Sequence, residues 1–98
     1  MPIVAVFQSP SLTRESYEAS IRLLTGGKKS QVTTPADWPV EGLLVHVAGQ
    51  GKHGFRVVDV WSSKETFQRF GATLAGVMKQ LNIEGEPEVY ETHTLVSA

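Results

Sequence analysis

The sequence predicts an α+β fold in which a four-stranded antiparallel sheet carries two helices on one face. The first observation behind this prediction is the order of the segments, which alternate as strand, helix, strand, strand, helix, strand. The second is the length of 98 residues. A chain of this length suits one domain over residues 1–98, because it buries roughly 65% of its unfolded surface and so forms a modest core.

The first strand and the first helix are predicted near the N-terminus. Residues 2–8, "PIVAVFQ", are β-branched and aromatic and end at the breaker cluster "SPS", which predicts a strand. Thr13 then provides an oxygen for an N-cap. Apolar side chains follow at helical spacing up to Gly26 and Gly27, so a helix of about 12 residues is expected. Its apolar face carries Tyr17, Ile21 and Leu24.

Residues 26–41 are interpreted as a long connection. They contain Pro35 and Pro39 and show no sustained hydrophobic period. Connections in small domains have a median of about 4 to 6 residues, and much longer ones are often functional. The alternative is that the part around Gln31 to Thr34 forms an edge strand.

The remaining segments complete the predicted sheet. Strands are expected over 43–49 and 54–61, on either side of a glycine-rich turn. Ser62, with Glu65 three residues later, forms a capping-box pattern at the start of a longer helix. Residues 88–96 alternate and predict the last strand. Two split βαβ units that share one antiparallel sheet form the ferredoxin-like arrangement.

The composition argues against several classes of protein. The net charge is −1, with 41% hydrophobic and 19% charged residues, so nothing favours nucleic-acid binding. No apolar run approaches the roughly 20 residues that span a bilayer, and no leader pattern is present, so we expect no membrane partner and a cytoplasmic location. The absence of cysteine excludes disulfides and thiolate chemistry. The histidines lack metal-ligand spacing, so no metal and no cofactor are expected.

Both faces of the predicted sheet are apolar, whereas a sheet with one face in water should alternate. In the second strand the prediction places Leu43, Val45 and Val47 on one face and His46 on the other. Two helices of this length cover one face, and the other face would be a larger apolar patch than monomers usually tolerate. We therefore predict a homodimer that packs sheet against sheet. The rival explanation is that residues 26–41 cover that face.

The stretch "VVDVWSSKETFQRF" (57–70), with the segment order and the short length, resembles the dimeric α/β-barrel superfamily, near its antibiotic-biosynthesis-monooxygenase-like group. In that group the third strand commonly ends in an acidic residue, a variable position and an aromatic residue, before a helix with an apolar residue one turn in. Asp59, Trp61 and Phe67 match these positions. The resemblance implies the fold, the dimer and a pocket between sheet and helices.

Phe70 departs from the pattern of that group. Many members carry a histidine at this place on the second helix, and in the heme-degrading branch it holds the iron. Phe70 cannot ligate iron, so heme degradation is disfavoured. Cofactor-independent oxygenases of the group act on electron-rich polycyclic aromatics, and other members bind ligands or have no assigned activity.

His46 and Asp59 are the predicted catalytic pair. With the turn at "QGKH", Gly49 opposes Gly54, which puts the two side chains on one face as diagonal neighbours about 7 to 8 Å apart at Cα. Any loop with an even number of residues keeps them on one face, and an odd loop separates them. A histidine beside a carboxylate could act as a base with an orienting partner. The alternative is a structural pair in which the two side chains only satisfy each other's hydrogen bonds.

Four further residues are candidates for substrate binding. Trp61 shares the face of Asp59 and could form an aromatic wall. Phe70 is at helical spacing and either packs in the core or lines a cavity. His93 is either a pocket residue of the last strand or an edge group in water. Trp38 either covers the mouth of the pocket or plugs the edge of the core.

The sequence thus leads to two hypotheses for function. The first is a homodimer that binds a small apolar or aromatic molecule between sheet and helices, as a cofactor-independent, monooxygenase-like enzyme. The second is a non-catalytic dimeric module that binds a ligand or has a structural role. The sequence does not specify a substrate.

Overall fold

The computed structural model describes residues 1–28, 32 and 34–97. It contains four strands and two α-helices, in the predicted order. These are β1 (Ile3–Phe7), α1 (Arg14–Leu24), β2 (Leu43–Gly51), β3 (Gly54–Trp61), α2 (Lys64–Gln80) and β4 (Glu88–Glu91). A short 3-10 helix, Pro35–Asp37, precedes β2.

The four strands form one antiparallel sheet in the order β2-β3-β1-β4. The α+β class and the antiparallel sheet are therefore confirmed, and the strand order is compatible with the predicted ferredoxin-like arrangement. The central strands β1 and β3 supply most of the buried sheet residues, and both helices pack over the same face of them.

Both helices begin at a hydroxyl cap. The Thr13 oxygen accepts the N–H of Ser16 at 3.2 Å, which confirms the predicted start of α1. The predicted start of α2 at Ser62 was wrong by one residue, because the Ser63 oxygen accepts the N–H of Thr66 at 3.2 Å. The Ser62 N–H instead donates to the carbonyl of Gly42 at 2.7 Å, so Ser62 still belongs to the end of the sheet.

The core lies between the sheet and the two helices. Its sheet side is formed by alternate residues of β1 and β3, and α2 contributes Phe70, which is 1% exposed. The buried residues of this cluster are Ile3, Ala5, Phe7, Leu12, Leu43, Phe55, Val57, Trp61, Phe70 and Ile83.

A bulge in β2 corrects one predicted face. Leu43 pairs with Trp61 and Val45 pairs with Val60, so the register shifts between Leu43 and Val45. Leu43 therefore lies on the core face, 7% exposed, and not beside Val45 and Val47 as predicted. The inserted residue at a bulge changes which face the strand presents beyond it.

The last strand is shorter than the predicted 88–96 and ends at Glu91. Thr92 donates its N–H to the carbonyl of Pro2 at 3.1 Å. Pro2 has no N–H to donate in return, so the ladder stops there.

The described part of the long connection packs on the helix side of the sheet. Trp38 and Val40 contact the core cluster, which does not match the rival explanation that this segment covers the opposite face. The predicted alternative of an edge strand from Gln31 to Thr34 falls partly on residues 31 and 33, which lie outside the described residues. Within the described chain, no helix has the length and apolar character needed to cross a membrane.

Candidate functional site

The β2–β3 hairpin brings the predicted pair together. Gly51 pairs with Gly54, and His46 pairs directly with Asp59. The turn therefore contains two residues and not the predicted four, so the pair is directly opposed and not diagonal. The even loop length keeps both side chains on one face, as predicted. Gly54 takes the backbone angle φ of 132° that this turn needs, a conformation that favours glycine.

A chain of two short hydrogen bonds joins three side chains. His46 Nδ1 lies 2.6 Å from Asp59 Oδ1, and His46 Nε2 lies 2.6 Å from the hydroxyl of Tyr17. The side chain of His46 is 11% exposed and that of Asp59 is 1% exposed. We call these three residues the Tyr17–His46–Asp59 chain.

The Asp59 carboxylate sets the direction of both hydrogen bonds. An ionised carboxylate only accepts, so His46 donates its Nδ1 proton to it. In a neutral imidazole the other nitrogen then has a free lone pair. Tyr17 consequently donates its O–H to His46 Nε2. The arrangement holds the imidazole in the tautomer whose Nε2 is basic.

Tyr17 stays protonated over a wide range of pH. Burial is the first cause and the negative charge of Asp59 the second, and together they raise the pKa of Tyr17 from 10.0 to about 12. Tyr17 therefore acts as a proton donor to His46 and not as a phenolate.

Aromatic rings enclose the Tyr17–His46–Asp59 chain. The rings of Tyr17 and His46 stack with centroids 5.9 Å apart. Trp38 meets His46 edge-on at 4.8 Å and Phe70 edge-on at 5.1 Å. Trp38 thus covers His46 and contacts the core at the same time, so the two predicted roles for it are compatible.

A cavity of about 60 Å³ lies between the sheet, α1 and α2, and all three members of the chain contribute to its wall. This volume is several times the roughly 10 to 15 Å³ that one water needs, but below the roughly 150 Å³ of a cavity that takes benzene. The rest of the inner wall is largely apolar. Its apolar members are Phe7, Leu12, Ile21, Leu24, Trp38, Val57, Phe70, Leu74, Met78 and Ile83.

The rim of the cavity is polar and is formed by two segments that are tied together. The Glu84 N–H donates to the Ser11 hydroxyl at 2.7 Å, and that hydroxyl donates to the Glu84 carbonyl at 3.4 Å. Gly85, with φ of 103°, approaches Ser9 so closely that an added Cβ would lie 3.2 Å from the Ser9 Cβ. The exposed residues Gln8, Glu84 and Glu86 complete this rim.

The other predicted binding residues are divided between the site and its surroundings. Phe70 lines the cavity beside Trp38. Trp61 is fully buried and stacks on Phe70 at 4.8 Å, so it supports the cavity wall from behind and is not part of the lining. Its indole nitrogen has no hydrogen-bond partner among the described residues. His93 is exposed and lies beyond the end of β4, because the strand stops before it, and it does not join the site.

The sequence-based reasoning missed Tyr17 as a functional residue. Tyr17 was assigned to the apolar face of the first helix on its spacing with Ile21 and Leu24, and it does pack on the core. The available signal was its hydroxyl, because a tyrosine that points into a core usually needs a polar partner there. His46 is that partner.

The three comparisons with known proteins found nothing similar, since no protein-family model, no curated protein and no solved structure matches this chain. The described residues also contain no group of three or more histidine, aspartate or glutamate side chains placed to hold a metal ion.

Proposed function

We propose that the protein binds a small, largely apolar molecule in the cavity between the sheet and the helices, and that His46 accepts a proton from it. The observation that carries this proposal is the position of His46. It lies on the cavity wall with one nitrogen fixed by a buried carboxylate and the other kept basic. A base held in one tautomer by a carboxylate is the arrangement that general base catalysis uses.

The surroundings of His46 support proton removal. Asp59 is 1% exposed, and its carboxylate remains the hydrogen-bond partner of His46 Nδ1 when the imidazole gains a proton at Nε2. The wall around the pair is largely apolar, and a low local dielectric strengthens this interaction. Proton removal activates the ligand, and the resemblance to the monooxygenase-like group favours a cofactor-independent oxygenase as the form of the complete reaction.

The cavity limits the size of the ligand. At about 60 Å³ it is too small for a polycyclic aromatic molecule, so a ligand of at most one ring is proposed. Such a ring still needs some adjustment of the wall. Leu74 and Met78 are only half-buried, and the unbranched side chain of Met78 adapts readily.

A non-catalytic ligand-binding module is the second candidate. It is favoured by the completeness of the Tyr17–His46–Asp59 chain, in which His46 has a partner at both nitrogens. In this case the three residues stabilise the core and give the cavity its shape, and no proton leaves the ligand.

We further propose that the protein is a homodimer of the dimeric α/β-barrel type. The support is the sheet face opposite the helices, which carries valines of β1, β2 and β3 and the ring of Tyr90 from β4. Val47 and Tyr90 on this face are 58% and 49% exposed in the single chain. A second copy that packs on this face would remove both side chains from water.

Binding is tested by NMR titration of the protein with toluene and phenol as single-ring probes. We expect shifts in the amide signals of α1, α2 and β3 around the cavity. Leu74→Trp fills the cavity and should abolish these shifts, whereas Leu23→Trp should retain them, because Leu23 is 39% exposed and does not line the cavity. No saturable shift with either probe would refute the binding role.

A further inference from the structure

We infer that the ligand of this cavity is a hydrogen-bond donor, which gives an O–H or N–H to the oxygen of Tyr17. The inference rests on the proposed binding role and names the class of molecule that the cavity takes. It follows from where each polar group on the cavity wall directs its own proton.

The Tyr17 hydroxyl already uses its proton in a hydrogen bond to His46. It has one proton to donate, and this proton is directed at His46 Nε2, 2.6 Å away. The lone pairs of the hydroxyl oxygen can then only accept hydrogen bonds from a ligand. The raised pKa of Tyr17, about 12, keeps this proton in place at neutral pH.

A second hydroxyl on the wall, that of Ser20, also directs its proton at another acceptor. Ser20 donates to the carbonyl of Tyr17 at 2.6 Å. Ser9 lies 3.2 Å from the hydroxyl of Ser11, and either oxygen can be the donor of that pair, so Ser9 does not decide the polarity of the wall. The hydroxyls of Tyr17 and Ser20 therefore each present an oxygen lone pair to the cavity and no proton.

The charged groups on the wall are also acceptors. Asp59 accepts the hydrogen bond of His46 Nδ1, and Glu84 and Glu86 lie at the rim of the cavity. Among the lining side chains, N–H donors remain on the Trp38 indole and on the Gln8 amide, and Gln8 is at the exposed rim. A carbonyl or ether ligand would find few partners here, whereas an O–H or N–H ligand would find several.

The chain of hydrogen bonds gives such a ligand a route for its proton. The ligand O–H bond breaks as its proton passes to the Tyr17 oxygen, and the proton of Tyr17 passes at the same time to His46 Nε2. The ligand is left as an anion with the electron pair of the broken bond. His46 becomes an imidazolium beside the Asp59 carboxylate, so charge is conserved and Tyr17 is unchanged.

The donor and acceptor roles within the Tyr17–His46–Asp59 chain are tested without any ligand by ¹⁵N NMR of the imidazole nitrogens at neutral pH. We expect a protonated Nδ1 and an unprotonated Nε2 for His46. Assignment is made by the loss of these signals in His46→Gln, which leaves His53 and His93 in place. The opposite tautomer, or a doubly protonated ring, would overturn the inference, because Tyr17 would then have a free proton to donate.

The ligand class is tested with three single-ring probes: phenol, which donates a hydrogen bond, benzaldehyde, which only accepts, and fluorobenzene, which does neither strongly. We expect phenol to bind about fivefold to tenfold more tightly than the other two, the effect of one hydrogen bond. Tyr17→Phe alone would leave His46 Nε2 on the cavity wall free to accept a hydrogen bond, so the double variant Tyr17→Phe/His46→Leu is used, and it should remove the advantage of phenol over fluorobenzene. Equal binding of all three would overturn the donor inference but keep the binding role, and binding of none would overturn both.

Discussion

His46 and Asp59 occupy directly opposed positions on β2 and β3, and their side chains meet at 2.6 Å on the buried face of the sheet. Opposed positions in an antiparallel pair place the Cβ atoms about 4.5 to 5.5 Å apart, so the contact needs no unusual backbone. Ala5 on β1 is the other neighbour of Asp59 and is small. The sheet thus holds a hydrogen-bonded polar pair in its interior through regular strand pairing.

Replacement of Asp59 by asparagine should reduce stability although it preserves volume. The amide oxygen can still accept the His46 Nδ1 proton, but it is a weaker acceptor than a carboxylate, and its NH2 group brings donors to a place that held only an acceptor. We expect a loss of about 1 to 3 kcal/mol in the free energy of unfolding, the range for a disrupted buried hydrogen bond. Urea denaturation measures it, with Glu84→Gln as a control that removes one negative charge at an exposed site. Equal stability of wild type and Asp59→Asn would show that the pair is not a stabilising element.

Tyr17 should ionise at higher pH than a tyrosine in water, because burial and the charge of Asp59 raise its pKa to about 12. The unfolded chain loses this proton near pH 10, whereas the folded chain retains it. The contribution to stability is therefore complete below about pH 10 and is lost as the pH rises towards 12. The ultraviolet absorbance of phenolate in wild type minus that in Tyr17→Phe isolates this titration. A midpoint near pH 10 in the folded protein would contradict the buried position of the hydroxyl.

Trp38 should limit the size of the ligand. Its ring meets His46 and Phe70 at centroid distances of 4.8 Å and 5.1 Å and forms part of the cavity wall. Trp38→Ala should therefore enlarge the cavity and allow the two-ring probe naphthol to bind, and Trp38→Phe should keep naphthol out. NMR titration of the three proteins provides the measurement. Naphthol binding to wild type as tight as to Trp38→Ala would show that Trp38 does not restrict the cavity.

Gly42 should not tolerate a side chain. Its φ of 113° disfavours any other residue, and an added Cβ would lie 2.5 Å from the Cβ of Thr66 on α2. We expect Gly42→Ala to lose at least the roughly 1 to 3 kcal/mol that such backbone strain costs.

Gly76→Ala is the matched control for Gly42→Ala. Gly76 lies in α2, and a Cβ added there would meet nothing within 4 Å. This substitution should gain about 0.5 to 1 kcal/mol from helix propensity. Urea denaturation of both variants gives the comparison. A similar stability for both would mean that α2 does not approach Gly42 as described.

The sheet face opposite the helices should be the dimer interface. Val47 is 58% exposed there, so Val47→Lys introduces a charge at the proposed contact. We expect wild type to sediment as a dimer at micromolar concentration and Val47→Lys to shift towards the monomer. Leu23→Lys, on α1 and away from this face, should leave the dimer intact. A wild type that sediments as a monomer would refute the dimer.

The sequence predicted the fold from local signals with strong physical causes. The Thr13 cap, the apolar period of α2 and the β-branched runs of the strands each depend on nearby residues, and each appears in the structure. The errors occurred where two local patterns compete. Ser62 and Ser63 are both good caps, and the one that follows the last sheet hydrogen bond is used.

The candidate site was only partly predictable because it combines contacts at different sequence distances. His46 and Asp59 belong to one hairpin, so loop parity predicted their common face. Tyr17 reaches them from α1, and no local rule relates a helix position to a strand position 29 residues away. The shorter β4, which leaves His93 outside the sheet, likewise depends on Pro2 at the other end of the chain.

Proton acceptance by His46 from a ligand in the cavity can be followed with a coloured probe. Para-nitrophenol changes its visible absorbance when it loses its proton, and it is titrated with protein at a pH below its own pKa in water. We predict that wild type binds the probe as nitrophenolate, and that His46→Gln binds it in the neutral form. Leu74→Trp, with the cavity filled, should bind neither form. Bound probe that stays neutral in wild type would exclude His46 as the proton acceptor and leave the protein a non-catalytic ligand-binding module.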